Sequence, residues 1–150
     1  MNTKKNEVIT VQLNGIDCML HFSGLLFIPK FHTVVISDIH FEKSFAVNMS
    51  RSSTIPLPPF DTIDTLVTIK KFLNYFSPKK IIFLGDTFHN LISAEYISKK
   101  NKNLIKNLIK VYNCIWIKGN HDLYNPKWLD AEPVDEYEEN GITFRHISKF

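Results

Sequence analysis

Apolar residues in this chain follow two rhythms. "EVITVQL" at 7–13 alternates apolar and polar positions with period two, as a half-buried strand does. "NG" at 14–15 is a hairpin turn signal, and "IDCMLHF" at 16–22 reads as the returning strand. "GLLFIP" at 24–29 is a third short strand, stopped by Pro29. Three later runs, "TVVIS" at 33–37, "KIIFLG" at 80–85 and "CIWIKG" at 114–119, are apolar without alternation. Such runs predict strands buried on both faces. Between them the spacing turns helical. Ile63, Leu66, Val67, Phe72, Leu73 and Phe76 come after Asp61, a candidate N-cap, and Pro78 ends the segment. A second helix is predicted from about Ser93 to Tyr112. Its apolar stripe is Ile97, Leu104, Ile105, Leu108 and Tyr112, with Lys99, Lys102, Lys106 and Lys110 on the other face. Residues 44–60 read as a Pro-containing loop, "DEYEEN" at 135–140 as a solvated turn, and "GITFRHI" at 141–147 as a last strand.

The middle of the chain is therefore β-α-β-α-β. That order predicts an α/β fold, a parallel sheet covered by helices, with ligands at the carboxyl ends of the strands. The length of 150 residues and 44% hydrophobic content fit a single domain over 1–150. The net charge of +3 is weakly compatible with an anionic ligand and by itself points to no nucleic acid. Cys18 and Cys114 each sit in an apolar stretch and read as reduced, buried thiols. No apolar run approaches the ~20 residues of a membrane span, and no apolar segment comes after Lys4 and Lys5 as in a signal peptide. A soluble, cytoplasmic protein without a membrane partner is expected.

The polar residues at the end of each buried strand carry the chemistry. Asp38-Ile39-His40 stands after the first, Asp86-Thr87-Phe88-His89-Asn90 after the second, and Asn120-His121-Asp122 after the third. On neighbouring strands these groups converge on one sheet edge. Carboxylates, imidazoles and one amide oxygen suit manganese, iron or zinc better than calcium. Asp-x-His in an extended stretch puts both side chains on one face, within reach of one ion. Two ions about 3.5–4 Å apart are a common device for phosphate-ester cleavage. Asp86, on the middle loop of the three, is the natural bridge between them, and Asn120 a further ligand. His121 is then left to hand a proton to the departing alkoxide, with Asp122 expected to orient its ring.

Through these blocks the chain resembles the calcineurin-like metallophosphoesterase superfamily. Of that superfamily's five signature blocks, Asp-x-His, Gly-Asp-x-x and Gly-Asn-His-Asp/Glu stand here as "SDIH", "LGDTFH" and "KGNHD". The likeness is closer to its ligase-associated DNA-repair branch, through "NGIDCMLHFSGLLFIP", "DIHFEK", "IPLPPFDTIDTL" and "LGDTFH". The resemblance implies a β-sandwich flanked by helices in α-β-β-α layers. It implies two divalent ions, manganese first with iron or zinc as alternatives. Asp38, His40 and Asp86 would hold the first ion, and Asp86 and Asn120 the second. His121 would act at the leaving group, and His89 would line the site without binding metal. His146, in "FRHISKF", falls where the fourth-block His belongs. It reads either as a second-metal ligand or as an ordinary partly buried histidine.

Two departures stand out. Glu42 replaces the branch's Gly beside the His40 loop, and no Gly-His-x-His occurs in the sequence. The expectation is a domain truncated on its C-terminal side, with weakened metal binding and an open sheet edge. Three functions fit these residues. The first is a metal-dependent phosphoesterase on phosphomonoesters or phosphodiesters, with DNA end processing as one setting. The second is a catalytically dead remnant of such an enzyme. The third is a non-enzymatic nucleic-acid-binding module built on the lysine stripe. Lys43 and Arg51 read as phosphate contacts or as solvated loop residues, His21 and His32 as structural or surface residues, and Trp116 and Trp128 as packing.

Overall fold

The computed structural model describes residues 8–50, 56–58 and 60–148. Arg51 lies outside them. Six strands form one sheet in chain order: β1 (Val8–Leu13), β2 (Ile16–His21), β3 (Leu26–Ile28), β4 (Thr33–Ile36), β5 (Lys80–Leu84) and β6 (Asn113–Ile117). The first four run antiparallel to one another, and β4, β5 and β6 are parallel. The hairpin between β1 and β2 turns on Asn14 and Gly15, both at positive φ (50° and 74°), as a tight primed turn requires. A single 3-10 turn, Pro29–Phe31, separates β3 from β4.

The apolar runs owe their lack of alternation to cover on both sides. Val34, Ile36, Ile81, Phe83 and Trp116 face helices α2 (Asp61–Phe76) and α4 (Lys99–Ile109) in one core cluster. Val35, Ile82 and Ile117 face a second cluster that takes in Phe144, Tyr137 and Ile142. Those last residues belong to a two-stranded hairpin, β7 (Tyr137–Glu139) and β8 (Ile142–Phe144). The fold is thus a six-stranded mixed sheet flanked by helices, with a short second sheet on its other face. Cys18 and Cys114 lie in different clusters and both are free. Burial pushes the Cys114 thiol up to about 12. Among the described residues no helix is long and apolar enough to cross a membrane.

Several expectations need correction. Residues 44–49, expected as loop, belong to a short helix, α1 (Lys43–Met49). Its N-terminal amide at Ser44 is capped by the Asp61 carboxylate (2.9 Å), which also takes the Ser44 hydroxyl (2.7 Å). Asp61, expected to cap α2, therefore caps a different helix across space. The helix predicted over 93–112 is two: α3 (Leu91–Tyr96) and α4. Ser98 breaks it, because its hydroxyl accepts the Asn101 amide (3.1 Å) as an N-cap. The "DEYEEN" turn contains β7, anchored where Lys80 Nζ meets Glu139 (2.6 Å) and Tyr137 Oη (3.0 Å). The outer edge of β6 carries one isolated bridge. Val134 bridges Ile117, exchanging backbone bonds with Trp116 and Lys118.

Candidate metal centre

Strand β4 ends at Ile36, and the chain beyond it is not extended. Asp38, His40 and Glu42 all take left-handed backbone, at φ 53°, 50° and 63°, and Asp86 does so opposite them at 50°. The extended Asp-x-His expected from the sequence is therefore replaced by an alternating left-handed path. Each such residue carries a Cβ and costs about 1 kcal/mol or more. Backbone bonds between the loops hold it in place. The Asp38 amide donates to Gly85 O (3.2 Å), His40 to Asp86 O (2.9 Å) and Phe41 to Thr87 O (2.8 Å), and His89 donates back to Phe41 O (3.2 Å). Pairing between β4 and β5 thus continues past the strand ends and sets His40 beside Asp86. The Ser37 hydroxyl donates to the Asp38 carboxylate.

Asp122 was expected beside the His121 ring. Its carboxylate turns instead to backbone: Oδ1 accepts the amides of Asp86 (2.9 Å) and Gly119 (3.0 Å), and Oδ2 that of Phe88 (3.0 Å). Burial pushes its pKa up, and these backbone donors pull it back. The reason is geometric. Beyond the ends of β5 and β6 these N–H groups have no strand partner, so a buried carboxylate accepts them. Gly119 belongs to the same contact, since a Cβ there would strike the Asp86 backbone and both carboxylates. We predict that Asp122→Ala costs about 2–5 kcal/mol in urea unfolding, because three buried donors lose their acceptor. Loss of activity at full stability would place Asp122 in the chemistry instead.

One donor atom from each of Asp38, His40 and Asp86 lies within 4.8 Å of the others. Asp86, only 3% exposed, sits at the centre. Its Oδ1 accepts the His121 amide (2.9 Å). Its Oδ2 faces three imidazole Nε2 atoms: His146 at 3.6 Å, His40 at 3.9 Å and His121 at 4.0 Å. The His146 and His40 separations are too long for hydrogen bonds and suit donors that share a cation with bonds of ~2.0–2.2 Å, while the more exposed His121 stands at the rim.

The sequence left two readings of His146, and the structure carries it to the site. It lies beyond β8 rather than on a strand. Its Nδ1 meets Leu84 O (2.8 Å), which can only accept, so Nδ1 carries the proton. Nε2 then faces the Asn120 side-chain amide at 3.0 Å. The amide completes this contact by turning its Nδ2 to the ring, or by turning its Oδ1 there to share a cation with Nε2. An imidazole held by a carbonyl on its far nitrogen is the usual posture of a metal-binding histidine. The ring packs over Gly85, where a Cβ would come within 2.5 Å of it.

The remaining histidines close the rim. The His121 ring stands 5.2 Å from that of His40 and 5.6 Å, stacked, from that of His89. Burial, and then the neighbouring His40, His121 and Lys43, hold the pKa of His89 below the ordinary imidazole value. This favours the neutral ring at neutral pH, which can give or take a hydrogen bond.

Adjacent parallel strands thus deliver, in chain order, the donors a divalent metal needs. A family model of calcineurin-like phosphoesterases matches residues 31–148. The chain belongs to the calcineurin-like phosphoesterase family. A crystal structure of a Pseudomonas putida nuclease, MPE, superposes with a TM-score of 0.67 at 20% sequence identity. The match covers 89% of this chain and 62% of the nuclease's, so this chain spans less than two thirds of that protein. At that identity the likeness concerns the fold. No curated protein matches the sequence.

Of the lysine stripe, Lys99, Lys106 and Lys110 are exposed and Lys102 is half-buried. Lys102 Nζ donates to Glu95 O (3.0 Å) and stands 5.7 Å from the Trp128 ring, with Lys106 at 5.9 Å. Trp128 packs edge-on against Phe88, and Trp116 stacks on Phe83 at 4.0 Å, so both tryptophans are packing residues. His21 is buried against Phe72 (4.2 Å), and His32 ends the 3-10 turn at φ 49°. Lys43 is exposed at the start of α1. Sequence reading missed the brace made by Asp122. Its signal was present in the spacing, a carboxylate three residues after a strand-ending Gly.

Proposed function

We propose that the chain is a metal-dependent phosphoesterase whose centre holds two divalent ions, manganese by preference. Asp38, His40 and Asp86 hold the first ion; Asp86, Asn120 and His146 hold the second. When bound, the ions neutralise the phosphate and supply hydroxide near neutral pH. The chain's own groups do the rest. His121, at the exposed rim, gives a proton to the leaving oxygen. His89, neutral, lines the same rim and hydrogen-bonds substrate. Phosphomonoesters and phosphodiesters are the substrate class, with nucleic-acid ends as one setting, in a cytoplasmic protein. The observation that carries this reading is Asp86 Oδ2 with the His146 and His40 Nε2 atoms at 3.6 and 3.9 Å and the exposed His121 ring beside them. The name of the P. putida nuclease agrees with a phosphodiester substrate.

The test is direct. Isothermal titration with Mn²⁺ should give two ions per chain, and hydrolysis of bis-p-nitrophenyl phosphate should need Mn²⁺ and stop with EDTA. One ion per chain and no turnover would favour the inactive reading. EDTA-resistant hydrolysis would overturn the metal mechanism outright.

A further inference from the structure

We propose that Glu42 is a positioning residue, which ties the His40 loop to helix α4 through Asn101 and so sets the affinity of the metal centre. The proposal rests on the metal reading above. Residue 42 takes φ 63°, a conformation that favours Gly, yet it carries a Glu that is 8% exposed. A buried carboxylate in unfavourable backbone persists only where its surroundings over-determine it.

Three elements hold Glu42. Its amide donates to Thr62 Oγ1 of α2 (2.9 Å). Its carbonyl accepts the Ala46 amide of α1 (3.0 Å). Its carboxylate Oε1 accepts Asn101 Nδ2 of α4 (3.0 Å), where Asn101 is itself buried. Asn101 is fixed in turn, since its amide is bound by the Ser98 hydroxyl that starts α4. The path therefore runs from the start of α4, through one side-chain bond, to a residue two positions from His40. His40 is the ligand most in need of such a hold. It lies in left-handed backbone, and its Nδ1 is buried with no hydrogen-bond partner among the described residues. The ring is held by its backbone and by edge contacts with His89 (5.5 Å) and His121 (5.2 Å), and not by a second hydrogen bond of its own, unlike His146. Asp38 has Ser37 and Asp86 has His121 N; the His40 loop is held on one side by its backbone bonds to Asp86 O and Thr87 O and on the other by what anchors Glu42.

The test uses Glu42→Ala, Glu42→Gln, Glu42→Gly, Asn101→Ala and the Glu42→Ala/Asn101→Ala pair in the full chain. Three quantities are read: Mn²⁺ affinity by isothermal titration, amide hydrogen exchange at His40 and Phe41, and stability to urea. Glu42→Ala and Asn101→Ala are each expected to weaken Mn²⁺ binding roughly 10-fold and to speed exchange at both amides. The pair should be no worse than either single change, because both remove one bond. Glu42→Gln keeps the acceptor and should restore wild-type behaviour. Glu42→Gly relieves the left-handed backbone. It should hold or gain urea stability and still lose Mn²⁺ affinity, a split that a merely structural role does not produce.

Unchanged exchange at His40 and Phe41 in Asn101→Ala overturns the proposal, and so do losses that add in the pair. If Glu42→Ala does not fold, Glu42→Gly and Asn101→Ala decide. If the wild-type chain binds no Mn²⁺, the metal reading falls, and the exchange data alone still settle whether Glu42 holds the loop.

Discussion

Asp86→Asn should empty the metal centre and leave the fold standing. The carboxylate is used twice, and its two oxygens have different work. Oδ1 accepts the His121 amide at 2.9 Å, which an asparagine oxygen continues to do. Oδ2 is the atom around which His40, His121 and His146 gather, and an amide nitrogen in its place cannot ligate a cation. The backbone around residue 86 stays braced by Asp122. Removing residues that only support a ligand already costs 10–100-fold in metal affinity. Losing a central ligand and its charge should therefore cost at least roughly 100-fold in Mn²⁺ affinity. Thermal unfolding without metal should change little. Retained Mn²⁺ binding in Asp86→Asn would show that the ion sits elsewhere and that the Asp38–His40–Asp86 cluster is an ordinary polar cluster.

His121→Ala should separate esters by their leaving group. The ring is half exposed at the rim, with 45% of its side chain open, so it can be removed with little loss of packing. Its amide, which holds Asp86 Oδ1, remains after the substitution. If the imidazole protonates the leaving oxygen, its loss should slow esters with poor leaving groups by roughly 10²–10⁴-fold. Esters of p-nitrophenol, whose anion leaves without help, should slow far less. Measuring kcat on an alkyl and a p-nitrophenyl ester in parallel reads the difference. Equal losses on both, or a fall in Mn²⁺ occupancy, would make His121 a ligand and not an acid.

Much of the site was legible in the chain order because each group stands directly after an apolar run. A buried strand ends where the apolar run ends, and the first polar residues after parallel strands meet at one edge. Hence Asp38, His40, Asp86, Asn120 and His121 could be named together. The two helices were legible only in part. Helical spacing carries through Ile97 to Leu104, and the Ser98 cap that interrupts it is a local hydrogen bond with no effect on that rhythm. The short helix α1 left no periodic trace. At seven residues it is too brief to form alone, and it exists because Asp61 caps it and the core receives Ala46.

The division between sequence and fold comes from the range of the forces involved. Apolar patterning and turn chemistry act over a few residues. They determined the strands, the Asn14–Gly15 turn, the parallel middle of the sheet and the set of metal-binding residue types. Contacts between residues distant in sequence leave no such periodicity. Only the folded chain decided that Asp122 serves the Asp86 backbone 36 positions away, that Asp61 caps α1, and that Glu42 reaches Asn101. It alone brought His146 from beyond the last strand to 3.6 Å from Asp86. A buried polar group must find a partner wherever packing provides one, and packing is a property of the whole fold.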